Sequence, residues 1–133
     1  ADNPFIDPSE INRLVEYYLT NDCDYSCNHQ NKMNNGYVDG FGAEIFSIKT
    51  LQKIKKLSIS PKQKEHLTLA VWQNPSLFKI KPVPCNSDLK FPNLRFDLDT
   101  EDDFFKLKLL VDNGVNIKSS AKNIIKSYLK NIH

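Results

Sequence analysis

Apolar positions along this chain alternate between two periods, and each switch marks an element. Ile11, Leu14, Val15, Tyr18 and Leu19 recur at three- and four-residue spacing, which predicts one face of a helix. Asp7-Pro8-Ser9-Glu10 opens it: Asp7 can cap, Pro8 suits the first helical position, and Glu10 stands three after the cap. Asn21-Asp22 ends it. Residues 24–28 then predict a short strand, 29–36 an Asn-rich loop, 37–42 a glycine turn and 43–46 an extended run. Ser47 caps a second helix carrying Ile48, Leu51, Ile54 and Leu57, whose lysines form a solvated face. Ser60-Pro61 opens a third, lined by Leu67, Ala70 and Val71 with Trp72 near its end, and Asn74-Pro75 breaks it. Residues 78–83 alternate as a strand, with Pro82 suggesting an edge.

The segment 95–103 carries the most information. Arg95-Phe96-Asp97-Leu98-Asp99 alternates polar and apolar residues as a strand does, then Thr100 caps a helix whose first turn is Glu101, Asp102 and Asp103. Phe104, Leu107 and Leu110 continue it, and Asn113-Gly114 stops it. A last helix carries Ile117, Ala121, Ile124, Ile125, Tyr128 and Leu129 on one face. Trp72, Phe78, Phe104 and Phe105 are expected in the core. The opening residues 1–6 have no helical period and are expected to end a strand whose body lies upstream. Strands alternating with helices predict an α/β fold. In such folds ligands sit outside the carboxyl ends of strands, so a carboxylate there can hold a metal and the metal can hold phosphates. The plainer account of Asp97 and Asp99 is a pair of solvated turn acids.

Composition narrows the field. The 133 residues suit one domain, and the net charge of +2 supplies no basic footprint for nucleic acid. No apolar run nears the roughly 20 residues that span a membrane. Three cysteines argue against a disulfide framework and for a reducing, cytoplasmic setting. Cys23, Cys27 and His29 match no common zinc spacing and are taken as ordinary side chains.

Several short motifs, in order, give the chain a resemblance. Asp2-Asn3-Pro4-Phe5-Ile6-Asp7-Pro8, Asp24-Tyr25-Ser26-Cys27-Asn28, Asp39-Gly40, Glu44-Ile45-Phe46-Ser47, Glu65-His66-Leu67-Thr68, Asn74-Pro75 and Arg95 through Phe104 carry it. Together they resemble the C-terminal half of the sugar cytidylyltransferases, the branch of spore coat polysaccharide biosynthesis protein F and the acylneuraminate cytidylyltransferases. The resemblance implies a partial nucleotide-diphospho-sugar transferase (GT-A-like) fold, a mixed sheet flanked by helices, over residues 1–133. It implies transfer of CMP from CTP to a sugar for surface polysaccharide synthesis, with pyrophosphate released. It also implies Mg²⁺ held by Asp2 and Asp99, which would make these the catalytic acids, and a homodimer. Asp39, Gly40, Glu44 and His66 would face the sugar.

Three positions depart from the family pattern: Gly42 where an acid is usual, Lys64 for Arg, and Asp97 for Thr. A lysine lacks the planar fork with which arginine grips an anion in two places. The family's N-terminal half, with its glycine-rich nucleotide loop, has no counterpart in these residues. The residues leave the general base open between Glu44, His66 and water. A non-catalytic remnant or assembly module of the same fold is the alternative expectation, and chemistry with another base is a third.

Overall fold

The computed structural model describes residues 2–29, 33–57 and 60–131. Part of the predicted 29–36 loop and the first residue of the opening segment fall outside them. Helices α1 (Pro8–Thr20), α2 (Ile48–Lys55), α3 (Pro61–Glu65), α4 (Leu69–Trp72), α5 (Glu101–Asp112) and α6 (Ala121–Asn131) surround a small antiparallel pair, β1 (Tyr25–Cys27) and β2 (Glu44–Phe46). The result is a mixed α/β structure.

Two predicted strands, 78–83 and 95–99, are extended but carry only single bridges, Tyr25 with Ile80 and Asp39 with Arg95, both parallel. Their backbone is paired even so. The Lys81 and Val83 N–H groups donate to the carbonyls of Tyr25 and Cys27 at 3.0 and 2.9 Å, so this run lines the free edge of β1. Pro82 falls between the two donors, where a missing N–H costs nothing. Around Arg95, the Asp39 N–H donates to Leu94 O and the Phe96 N–H to Asp39 O, each at 3.0 Å. The Leu98 N–H donates to Asp2 O at 2.7 Å, which brings Asp2 beside this extended run, although residues 2–6 themselves form no strand.

The caps form where sequence places them. Asp7, Ser47, Ser60 and Thr100 each accept from a backbone N–H in the first turn of the helix that follows. Thr100 and Asp103 make a reciprocal capping box, and Lys106, then Thr100, hold the Asp103 carboxyl well below its usual range. Gly114 has φ +93 at the end of α5, a backbone angle that suits glycine.

Four expectations change. The third helix is two helices, α3 and α4, because residues 62–66 offer no apolar side chain to bury; the backbone leaves helical geometry at His66 (φ −114, ψ 81). On α1 the inward positions are Glu10 and Leu14, while Leu19 is exposed. Glu10 goes inward because Arg13, Asn28 and Tyr37 all donate to its carboxylate. Phe104 and Phe105 lie outside the core, 49% and 62% exposed, packed edge-to-face on each other while Leu107 and Leu110 face inward. Ile117 precedes α6 and is exposed.

Two apolar clusters make the core. Phe41 and Phe96 stack in the larger, under α5 and α6; Tyr25, Ile54, Val71 and Phe78 make the other, behind β1. Gly42 is fixed by a close approach. A Cβ there would stand 2.3 Å from the Asn28 carbonyl and 2.4 Å from its side-chain oxygen. Gly42→Ala is therefore expected to destabilise the fold by about 2 kcal/mol, as overpacking does, measured by urea unfolding. An effect under half of that would show that Asn28 can move aside.

Candidate functional site

The site begins at the β1–β2 pair. Cys27 is registered opposite Glu44 and Tyr25 opposite Phe46, which brings Tyr25 and Glu44 diagonally together. The Tyr25 hydroxyl donates to Glu44 Oε1 at 2.7 Å. Burial, then the neighbouring Cys27 and Glu44, push the Tyr25 phenol far above its ordinary range, so it acts as a fixed donor. Burial also pushes the Cys27 thiol up to about 11, which keeps it protonated and unreactive. All three cysteines are free thiols.

His29 lies two residues beyond the end of β1. Its Nδ1 lies 3.2 Å from Asp39 Oδ1 and its Nε2 lies 3.9 Å from Glu44 Oε1. The imidazole thus stands between two of the expected sugar-side acids. Asp39 connects onward through its backbone bridge to Arg95. The Arg95 guanidinium donates to Asp97, through Nε at 3.1 Å and through a second contact at Nη2, and to Asp99 Oδ2 at 2.9 Å. Hydrogen bonding to Asp97 raises the basicity of Arg95 further, with Asp99 and Asp39 adding to it. Asp97, the departure from Thr, is therefore a buried counter-ion rather than a solvated acid.

Asp2 and Asp99 come to the far end of this line. Both are exposed, and the Asp2 carbonyl receives the N–H of Leu98, the residue before Asp99. Among the described residues no group of three or more His, Cys, Asp or Glu side chains is arranged to hold a metal unaided. Two hard carboxylate oxygen donors open to solvent nevertheless fit what Mg²⁺ takes from a protein when phosphates and water complete its shell.

The other end opens into a cavity of about 590 Å³, lined by Glu44, Phe46, Lys62, Glu65, His66 and Trp72 with the turn between α3 and α4. His66 is the residue at which α3 ends, and it is exposed. Glu44 and His66 share this cavity. Gly40 does not border it. Its φ of +107 and its close approach to Phe96, which would stand 2.8 Å from an added Cβ, give it a packing role beneath Asp39.

His29, weighed in the sequence only as a zinc ligand, and Asn28, seen there only as a motif residue, both have structural partners. Asn28 is buried; its amide donates to Glu10 O at 2.6 Å and its carbonyl oxygen accepts from Ala43 N at 3.0 Å, tying α1 to the start of β2. The signal for His29 was its place: the first residue beyond the predicted strand 24–28, where open α/β sheets gather ligand groups.

The chain as a whole is similar to known proteins. No family model matches the chain. It is 32% identical over 104 residues to an uncharacterised protein of Methanocaldococcus jannaschii, covering 78% of this chain and 40% of that one. It is 23% identical over 111 residues to the spore coat polysaccharide biosynthesis protein SpsF of Bacillus subtilis, covering 83% and 44%. The solved structure of a cytidylyltransferase from Leptospira borgpetersenii superposes with a TM-score of 0.85 at 25% identity, over 98% of this chain and 54% of that one. In fold and in sequence the chain resembles the cytidylyltransferases. It spans about half the length, or somewhat less, of the relatives it matches.

Proposed function

We propose that this chain supplies the metal and sugar sides of a cytidylyltransferase that moves CMP from CTP onto a sugar, within a GT-A-like domain for surface-polysaccharide synthesis. One observation supports this above others. Asp39 is joined through its backbone to Arg95, whose guanidinium donates to Asp99, and through its carboxylate to His29, which stands beside Glu44 of the cavity. The acids expected to hold metal and the acids expected to face sugar thus belong to one connected polar line.

In this proposal Asp2 and Asp99 hold Mg²⁺, which supplies charge neutralisation for the triphosphate when bound. Glu44 and His66 accept or donate hydrogen bonds to the sugar in the cavity, Asp39 acts through His29, and Gly40 supports Asp39. Calorimetric titration of CTP into the chain, with Mg²⁺ and then with EDTA, tests it. Binding that needs the metal is expected. A folded sample giving no heat in either condition would overturn the assignment of the metal side to this chain.

The assembly-module alternative keeps one supporting observation. Phe104, Phe105 and Leu109 leave apolar surface exposed on α5. Sedimentation analysis from 5 to 500 μM is expected to show a monomer–dimer equilibrium that Phe105→Ser weakens at least tenfold. An unchanged monomer throughout would remove the homodimer from the proposal.

A further inference from the structure

We propose that Glu44, which lines the cavity, and His29, which stands beside Glu44 and outside that lining, form a pair of hydrogen-bond acceptors for two adjacent hydroxyl groups, so that the ligand held between them is a vicinal diol. The inference rests on the sugar side of the proposed function and specifies what part of the sugar is held.

The position of the ring proton decides what His29 can offer a ligand. Both imidazole nitrogens of His29 face carboxylates, but at unequal distances: 3.2 Å from Nδ1 to Asp39 and 3.9 Å from Nε2 to Glu44. An ionised carboxylate only accepts, so a neutral ring puts its single proton on the nitrogen with the nearer carboxylate. That nitrogen is Nδ1. Glu44 Oε1 has less need of an imidazole donor, since the Tyr25 hydroxyl already donates to it at 2.7 Å. Nε2 is left with a lone pair directed beside the Glu44 carboxylate.

The 3.9 Å between Nε2 and Oε1 exceeds a hydrogen bond. Two acceptors side by side do not bind each other; they require donors between them. A single hydroxyl has one proton and can serve only one of them. Hydroxyls on neighbouring ring carbons are separated by about one hydrogen-bond length and bring one proton for each acceptor. The His29 and Glu44 side chains are 12% and 21% exposed, enough to be touched and too little to be fully hydrated. Glu44 opens into the cavity where a sugar ring has room. No proton changes hands in this binding step: both donors keep their protons, and His29 is a positioning and binding residue.

The test is a long-range proton–nitrogen spectrum of the uniformly ¹⁵N-labelled chain at pH 8, with His29 assigned by its loss in His29→Gln. The expected result is Nδ1 protonated and Nε2 bare, with Asp39→Asn converting the ring to a mixture of tautomers. A proton on Nε2 in the unaltered chain would overturn the proposal. Methyl α-D-mannopyranoside, a vicinal diol, and tetrahydropyran-4-ol, a single hydroxyl on a similar ring, are then titrated to 200 mM. The diol is expected to shift the Nε2 resonance saturably and the mono-ol not to, with Glu44→Gln weakening the diol at least tenfold. Equal responses, or none from the diol, would also overturn it. Failure of CTP binding with the His29 result intact would remove the transfer reaction while leaving the diol site. The reverse pattern would remove the diol site alone.

Discussion

Asp99→Asn is expected to weaken magnesium-dependent binding of CTP severely while leaving the thermal midpoint within about 2 °C. The change keeps the size of the side chain and removes its charge. Asp99 is half exposed, and its side-chain oxygen can still accept from Arg95 as an amide. Surface changes of this kind stay within about 0.5 kcal/mol of stability. The metal responds differently. Mg²⁺ sheds water reluctantly and takes few protein ligands, so losing one of two carboxylates removes half of what the protein offers. A drop in CTP affinity of about thirtyfold or more, roughly 2 kcal/mol, is the expected calorimetric result. Asp97→Asn is the contrasting variant. Asp97 is buried against Arg95, so its loss is expected to appear mainly as lost stability. Unchanged metal-dependent binding in Asp99→Asn would withdraw Asp99 from the metal site.

What sequence made legible, and what it did not, follows the reach of each signal. The caps at Asp7, Ser47, Ser60 and Thr100 depend on residues within four positions of one another, and all four form. The helix faces depend on which neighbour lies where, and there local pattern fails. Val15 and Leu19 keep helical spacing on α1, yet Glu10 takes the inward place because its donors arrive from residues 28 and 37. Phe104 and Phe105 are large and apolar, yet nothing among the described residues covers them. The strand at 95–99 is extended as expected, although its pairing is a single bridge to Asp39. The candidate acids were named through motif order. His29 escaped because its meaning lies in the distance to Asp39 and Glu44, across a loop that no periodicity describes.

Asp7→Ala is expected to cost more stability than any other single change discussed, about 3 kcal/mol at pH 7. Motif reading gave Asp7 one helix, but its carboxylate holds two. Oδ1 accepts from the Ser9 N–H at 2.9 Å and the Ser9 hydroxyl at 2.7 Å, starting α1. Oδ2 accepts from the Ala121 N–H at 2.8 Å, starting α6 from 114 residues away. Each lost cap is worth about 1 kcal/mol, and the buried Ala121 N–H would lose its partner and add a desolvation penalty. Burial works to raise the Asp7 pKa, but the donors from Ser9, Ala121 and Glu10 together outweigh it, and the group lies below its ordinary value. A depressed folded pKa gives stability that is present in full above the unfolded value of about 4 and is lost as pH falls through the folded one. The gap in unfolding free energy between the natural chain and Asp7→Ala is therefore expected to be widest near neutral pH and to narrow below about pH 4. Urea unfolding at pH 7, 4 and 3 measures it. A gap that stays constant across that range would mean that the carboxylate charge contributes nothing, and that the two helices are held by packing alone.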